Sequence, residues 1–238
     1  MKRLYDILLS VKTAFYLMVA FSVIAVTGSV IHPRNLSFFS GIDSTPLFKW
    51  LSRSDHIEIT WWIYAMILVL ALLGINTLVC TVDALIRRVK LKNLMLKLSP
   101  QLIHIGVMMI MIGHLLTASL GLKMDLFLEK GKAVRVTANR VVGLDAVEVV
   151  TNEDGYVVDW TTHIWLKTDK KRYDLILKPS RPVYRAGLGF FVQAATRDEE
   201  ETSSLVRVTA DPGAPWAFIG GAIVVVGGIM FLFARLRQ

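Results

Sequence analysis

The residues Leu102–Leu122, LIHIGVMMIMIGHLLTASLGL, decide how this chain is read. An apolar run of about 20 residues is long enough to cross a bilayer as a helix. Its only ionisable side chains are His104 and His114. Ionisable groups at that depth are costly, so they face a partner helix, a cavity or a cofactor. This helix is therefore where chemistry is expected.

The rest of the chain agrees with a membrane reading. It has 238 residues, 54% of them hydrophobic, and a mean hydropathy of +0.52, too apolar for an ordinary soluble domain. Three further spans are expected: Thr13–Ile31, Thr60–Thr81 and Trp216–Phe233. The charged N-terminus resembles a signal peptide, but its apolar run is too long and lacks a convincing small-residue cleavage site, so it reads as a retained span. Trp61, Trp62 and Tyr64 are interface anchors at the start of the second span.

Charge orients the spans. The tail through Lys12 has three basic residues against one acidic, the Val82–Pro100 connector five against one, and the C-terminal tail two basic residues. Those pieces hold the whole net charge of +8; the His32–Ile59 loop and the Lys123–Pro212 segment are each balanced. Basic loops stay cytoplasmic, which places both termini inside and the long polar segment outside. The basic surplus is thus a topology signal and does not point to nucleic acid.

Lys123–Pro212 reads as β structure. Val134 and Val136 alternate with Arg135 and Thr137. Further strands are expected at Ala146–Thr151, Tyr156–Lys167, Arg172–Leu177, Gly189–Ala195 and Ser204–Thr209, with Asp154-Gly155 as a hairpin turn. The expected fold is an α-helical integral membrane protein with four transmembrane helices and an extracytoplasmic antiparallel β domain, a small sandwich or barrel, between the third and fourth spans. The expected domains are 1–122, 123–212 and 213–238, the last a C-terminal transmembrane helix.

The chemistry-bearing residues are few. The lone Cys80 excludes an intrachain disulfide and a CxxC redox pair. There is no CxxCH, Walker loop, HExxH or dinucleotide fingerprint, and no catalytic constellation is visible. Imidazole is a common haem ligand. His104 and His114 lie about 15 Å apart along a helix and about 80° apart around it, so they cannot ligate one iron together. Each either takes a partner ligand from another helix or merely hydrogen-bonds a neighbour. Met108, Met111 and Leu115 continue the face of His104 as an apolar wall suited to a flat macrocycle. His32 and His56, at the outer ends of the first two spans, are further candidates. His163 reads as surface or packing, Met108, Met109 and Met111 as packing, and Asp198–Glu201 as a solvated loop. Gly106, Gly113 and Gly121 would let another helix approach closely.

Five stretches in order resemble the ResB/CcsB family of system II cytochrome c maturation. SVKTAFYLMVAFSVIAVTGSVI resembles its first span. WWIYAMILVLALLGINTLVCTVDALIRR resembles its second, with Asn-x-Leu-Val-Cys-Thr near the end. HIGVMMIMIGHLLTASLGLKMDLFLEKGK resembles its third span and the turn after it. RPVYRAGLGFFVQAA is similar to part of its outer domain, and DPGAPWAFIGGAIVVVGG to the lead into its last span. Together they cover nearly the whole chain, as a compact member with a short outer domain.

The resemblance implies a function. Such a subunit joins a ResC/CcsA-like protein to export haem across a bacterial cytoplasmic membrane and attach it to the CxxCH thiols of an apocytochrome c, with a thioredoxin-like thiol reductant as a further partner. It implies haem b, held transiently and shared with the partner, with His104 as the axial ligand from this chain. His114 departs from the family, where a small residue is usual, and is left as a second possible haem ligand. The tryptophan-rich WWD motif and outer haem histidines belong to the partner, and Trp61-Trp62 is not that motif. This chain alone is then an accessory subunit of a holocytochrome c synthetase. Two other assignments fit the same residues: a b-haem subunit passing quinol electrons outward, and a haem-free scaffold.

Overall fold

The computed structural model describes residues 2–87, 94–154, 156–197 and 202–236. Its helices are α1 (Lys2–Leu8), α2 (Val11–Arg34), α3 (Leu47–Leu51), α4 (Ile57–Arg87), α5 (Leu94–Leu120) and α6 (Ala214–Leu236). Between α5 and α6 the described residues form eight strands. The chain divides into two compact units, Met1–Leu120 with Pro212–Gln238, and Gly121–Asp211.

Val11–Arg34, Ile57–Ile86, Leu98–Leu120 and Ala214–Leu236 are long and apolar enough to cross a membrane. The protein is a four-span helical membrane protein carrying a β domain between its third and fourth spans. Only 6% to 17% of each span is buried within the chain. The exposed faces, such as Phe15, Val19, Val23 and Val26 on α2, are therefore left for lipid or for helices of another subunit. The third span ends at Leu120, short of the expected Leu122, because Leu122 opens a strand. Residues 88–93 of the basic connector, and Asp198–Glu201, lie outside the described residues.

The helices are joined by small residues and by polar side chains in apolar surroundings. Gly106 of α5 faces Gly220 of α6, where an added Cβ would meet a carbonyl oxygen at 2.6 Å from either side. Gly113 faces Gly213 and Ala217, with backbone atoms at 2.8 Å, and Gly227 faces Leu102 and Ile103. In a bilayer, close backbone approach of this kind replaces the hydrophobic drive that joins helices in water. The third glycine expected in this role, Gly121, lies beyond the end of α5. On the other side of the bundle, Gly28 of α2 lies against the Trp62 ring of α4.

The His32–Ile59 stretch, expected as a loop from its Ser, Pro and Gly content, folds into an aromatic cap. Phe39, Leu51 and Ile63 are its buried centre. Trp50 stacks on Phe39 with ring centroids 5.6 Å apart, and Phe38 meets both edge-on. The helix α3 brings Trp50 and Leu51 back onto the end of the bundle, where their apolar area is covered.

The β unit is a sandwich. One sheet has the order β1 (Leu122–Glu129), β8 (Thr202–Ala210), β7 (Leu188–Arg197), β6 (Val183–Arg185), and the other β2 (Ala133–Thr137), β3 (Arg140–Thr151), β4 (Val157–Thr168), β5 (Arg172–Leu177). All ladder pairings are antiparallel. Strand alternation sends one face inward: on β5, Leu175 and Leu177 are buried while Ile176 points out. Leu128, Val142, Leu166, Phe190 and Val206 from both sheets form one core. Strands β1 and β6 are additional to those expected. The loop from β6 to β7 is Ala186-Gly187, both at positive φ (52° and 75°), the backbone twist of a two-residue type I′ hairpin. Gly155 of the expected Asp154-Gly155 turn lies outside the described residues, though β3 and β4 do pair on either side of it.

Asp125 and Arg207 stand opposite each other on β1 and β8. The guanidinium donates from Nε to Oδ1 at 2.7 Å and from Nη2 to Oδ2 at 2.9 Å. That hydrogen bonding by Arg207 is the main reason the Asp125 carboxyl is held below its usual range, burial opposing it weakly. A depressed carboxyl pKa stabilises the fold above the unfolded value, about 3.9, and the contribution is lost as pH falls through the folded value. Asp125 is 45% exposed, so solvent screening limits the effect. Asp125→Asn is expected to cost about 0.5 kcal/mol at pH 7. In thermal melts of the solubilised chain, wild type and variant should converge below about pH 4; a gap unchanged at pH 3 would show that the ion pair is not its source.

Candidate functional site

Two places in the membrane unit bring histidine together with specific partners. The first is where α5 meets α4. His104 lies six residues into the span Leu98–Leu120, roughly 9 Å from its start at 1.5 Å per residue. Its Nδ1 is 3.2 Å from the Thr81 hydroxyl of α4. Thr81 in turn donates to the Thr77 carbonyl of its own helix at 2.7 Å. Nε2 of His104 has no partner among the described residues. Thr81 is 4% exposed, whereas His104 is only partly buried, so the ring runs from a buried hydroxyl toward the helix surface.

The sequence reading left the Asn-x-Leu-Val-Cys-Thr motif of α4 without roles. Asn76 donates its amide to the Leu8 carbonyl at 2.5 Å, and the Cys80 thiol points at the same oxygen at 3.6 Å. Leu8 ends α1, so its carbonyl has lost the helical partner it would otherwise have, and a side chain from α4 supplies one. Tyr5 adds a second tie between these helices, donating to Asp83 at 3.0 Å. The final Thr81 of the motif faces the other way, onto His104. One short motif thus secures α1 on one side of α4 and His104 on the other.

The apolar wall expected along His104 is only partly open. Met111 lies against α4 at Gly74, where an added Cβ would meet its Cε at 3.6 Å, so this methionine packs. Leu115 remains 52% exposed. His114 is exposed on the helix and makes no hydrogen bond among the described residues; it is not brought to His104. Near the start of the same span, Ser99 and Gln101 are 0% and 4% exposed. Ser99 Oγ and Gln101 Oε1 have no hydrogen-bond partner among the described residues.

The second place is the aromatic cap. His32 lies 4.8 Å from Phe39 between ring centroids, and His56 lies 5.4 Å from Phe38. His56 Nδ1 is also 2.7 Å from the Glu58 carboxylate. The two candidates named from position alone therefore share one aromatic cluster. Ile63 of that cluster and Thr81 are eighteen residues apart on α4, roughly 27 Å at helical rise. The cap and His104 occupy opposite ends of one span and cannot serve one iron.

His163 stays with packing. It sits on β4 with Nε2 3.4 Å from the Glu148 carboxylate but outside hydrogen-bonding geometry. Among the described residues no three of His, Cys, Asp and Glu converge as a metal cluster. His104 is therefore not part of a three-ligand cluster among the described residues.

No family model matches the chain, and no curated protein does. A solved structure described as Cytochrome c Heme Lyase CcmF is similar at a TM-score of 0.48 and 15% identity, over 84% of this chain and 34% of that one. The chain thus spans about a third of the length of that protein.

Proposed function

We propose that the protein is a ResB-like subunit of a cytochrome c maturation complex. On this reading it receives haem in the membrane, passes it outward, and presents it with a ResC/CcsA-like partner to an apocytochrome c. The observation that carries the proposal is His104: an imidazole inside an apolar span, tied to a neighbouring helix through Nδ1, with no partner on Nε2 among the described residues. A structural histidine in hydrocarbon is expected to use its hydrogen-bonding capacity within the bundle. This one leaves its ligating nitrogen unused, at the bundle surface where another subunit would sit.

The residues fit haem as cargo. One imidazole is a sufficient proximal ligand, and Leu115 leaves part of the neighbouring surface apolar and uncovered. The partner would then supply the opposite ligand, and ligation shared between two subunits suits a group that has to move on. When bound, haem supplies the vinyl groups to which the two thiols of a CxxCH motif add as thioethers. The tasks of this chain are holding and orienting. With the charge-derived orientation, His104 lies toward the cytoplasmic end of its span and the His32/His56 cap at the outer end, in a bacterial cytoplasmic membrane. The β sandwich then faces the apocytochrome, the partner and a thiol reductant.

The test is a pyridine-haemochrome measurement on the purified chain, alone and with a ResC-like partner. Wild type with partner should carry haem, His104→Ala should lose at least tenfold, and His114→Ala should keep it. Full occupancy in His104→Ala would remove the assigned ligand. Stable haem in the chain alone, lost with His114, would favour the electron-transfer assignment.

A further inference from the structure

We propose that Thr81 is the positioning residue of His104, selecting the imidazole tautomer that leaves Nε2 as the ligand atom. The argument is a proton count. A hydroxyl has one proton and two lone pairs. Thr81 Oγ1 is 2.7 Å from the Thr77 carbonyl, and a carbonyl only accepts, so the hydroxyl proton is committed there. The 3.2 Å approach of Nδ1 to Oγ1 is then a hydrogen bond only if Nδ1 carries the proton. A neutral imidazole protonated at Nδ1 has its lone pair on Nε2. The chain carbonyl of Thr77, hydroxyl of Thr81, Nδ1–H of His104 therefore runs in one direction and ends on a free Nε2.

The same contact fixes the ring in space. Thr81 is β-branched, and in a helix its side-chain rotation is restricted, with the rotamer chosen by the bond to the preceding carbonyl. The hydroxyl is buried, so its contact with Nδ1 lies on the inner side of the ring. An acceptor for the Nδ1 proton also makes the ligating Nε2 more basic, which is how outer partners tune histidine ligands. The tautomer assignment stands on the geometry alone. Its consequence for haem rests on the reading of His104 as a ligand.

The two parts separate experimentally. In the full chain, ¹⁵N-histidine-labelled and held in lipid nanodiscs without haem, the His104 signal is expected to show protonated Nδ1 and unprotonated Nε2. Thr81→Val, which keeps the shape and removes the hydroxyl, is expected to release that tautomer, and Thr81→Ser to restore it. With the partner present, haem titration should be about 10- to 100-fold weaker in Thr81→Val and within a few-fold of wild type in Thr81→Ser, with the iron–imidazole resonance Raman band shifted in the valine variant only. A His104 protonated at Nε2 in wild type would overturn the proposal. So would a valine variant with unchanged tautomer and unchanged haem affinity. If wild type shows the expected tautomer but His104→Ala does not change haem binding, the ligand reading fails while the Thr81–His104 assignment stands.

Discussion

Gly220→Val should strongly destabilise the membrane unit. A Cβ at Gly220 would lie 2.6 Å from the Gly106 carbonyl oxygen and 2.9 Å from the Ile110 amide nitrogen. Both are backbone atoms of α5 and neither can rotate away. The helices would have to part, and every contact along the glycine seam from Gly113 to Gly227 would loosen with them. Overpacking of a close interface typically costs 1–3 kcal/mol and occasionally more; with rigid backbone on the other side, about 3 kcal/mol is expected here. The neighbouring Gly221 is the control, since an added Cβ there meets nothing within 4 Å. Gly221→Ala should be neutral or stabilising by up to about 1 kcal/mol, because alanine is the better helix former. The measurement is thermal stability of the detergent-solubilised chain by fluorescence-detected size exclusion. Equal loss in both variants would mean that α6 does not meet α5 through this face.

Phe190→Ala should cost roughly 3–5 kcal/mol, the range for emptying a buried aromatic site. Phe190 is 0% exposed and sits in the middle of the sandwich core. It pairs with Val183 on one side and Val208 on the other, so a cavity there touches both neighbouring strands. For a domain of this size that is a large part of a total of about 5–15 kcal/mol. Phe191, one residue on, points to the opposite face and meets Tyr184 edge-on at 6.0 Å; Phe191→Ala should cost about 1 kcal/mol. Proteolysis of the intact chain reads the difference, with cleavage inside Gly121–Asp211 expected for Phe190→Ala and not for Phe191→Ala. Similar sensitivity in the two variants would contradict the alternation of β7.

The membrane class and the β class were legible in the sequence because each is written locally. A span needs length and apolarity: α2, α4 and α6 extend the expected runs by two to six residues at each end, where polar side chains hide a helical turn, while α5 starts eight residues before Leu102 and stops two short of Leu122. Strand β5 was expected at its observed bounds because its alternation is bounded by turn residues. Strand β1 was not, because Leu122–Glu129 follows an apolar helix directly and its alternation merges with the end of that run. The short β6 has too few residues to show a period. The cap was hidden by composition: Ser, Pro, Gly and charged residues are interspersed with Phe38, Phe39 and Trp50, while burial follows where those rings meet.

The candidate site divides the same way. By itself, the sequence determined that His104 and His114 lie in hydrocarbon and cannot serve one iron, since helical rise and rotation follow from spacing alone. It also marked Gly106 and Gly113 as places for close approach. Only the tertiary structure decided which helix approaches them, because Gly213 and Gly220 come about a hundred residues later, after an entire β unit. Only it placed Thr81 against Nδ1 of His104 and gathered His32 and His56 into one aromatic cluster around Ile63, roughly 27 Å from Thr81 along α4. Those pairings depend on the register of one helix against another, and that register is set by packing across the bundle rather than by any pattern within a single span.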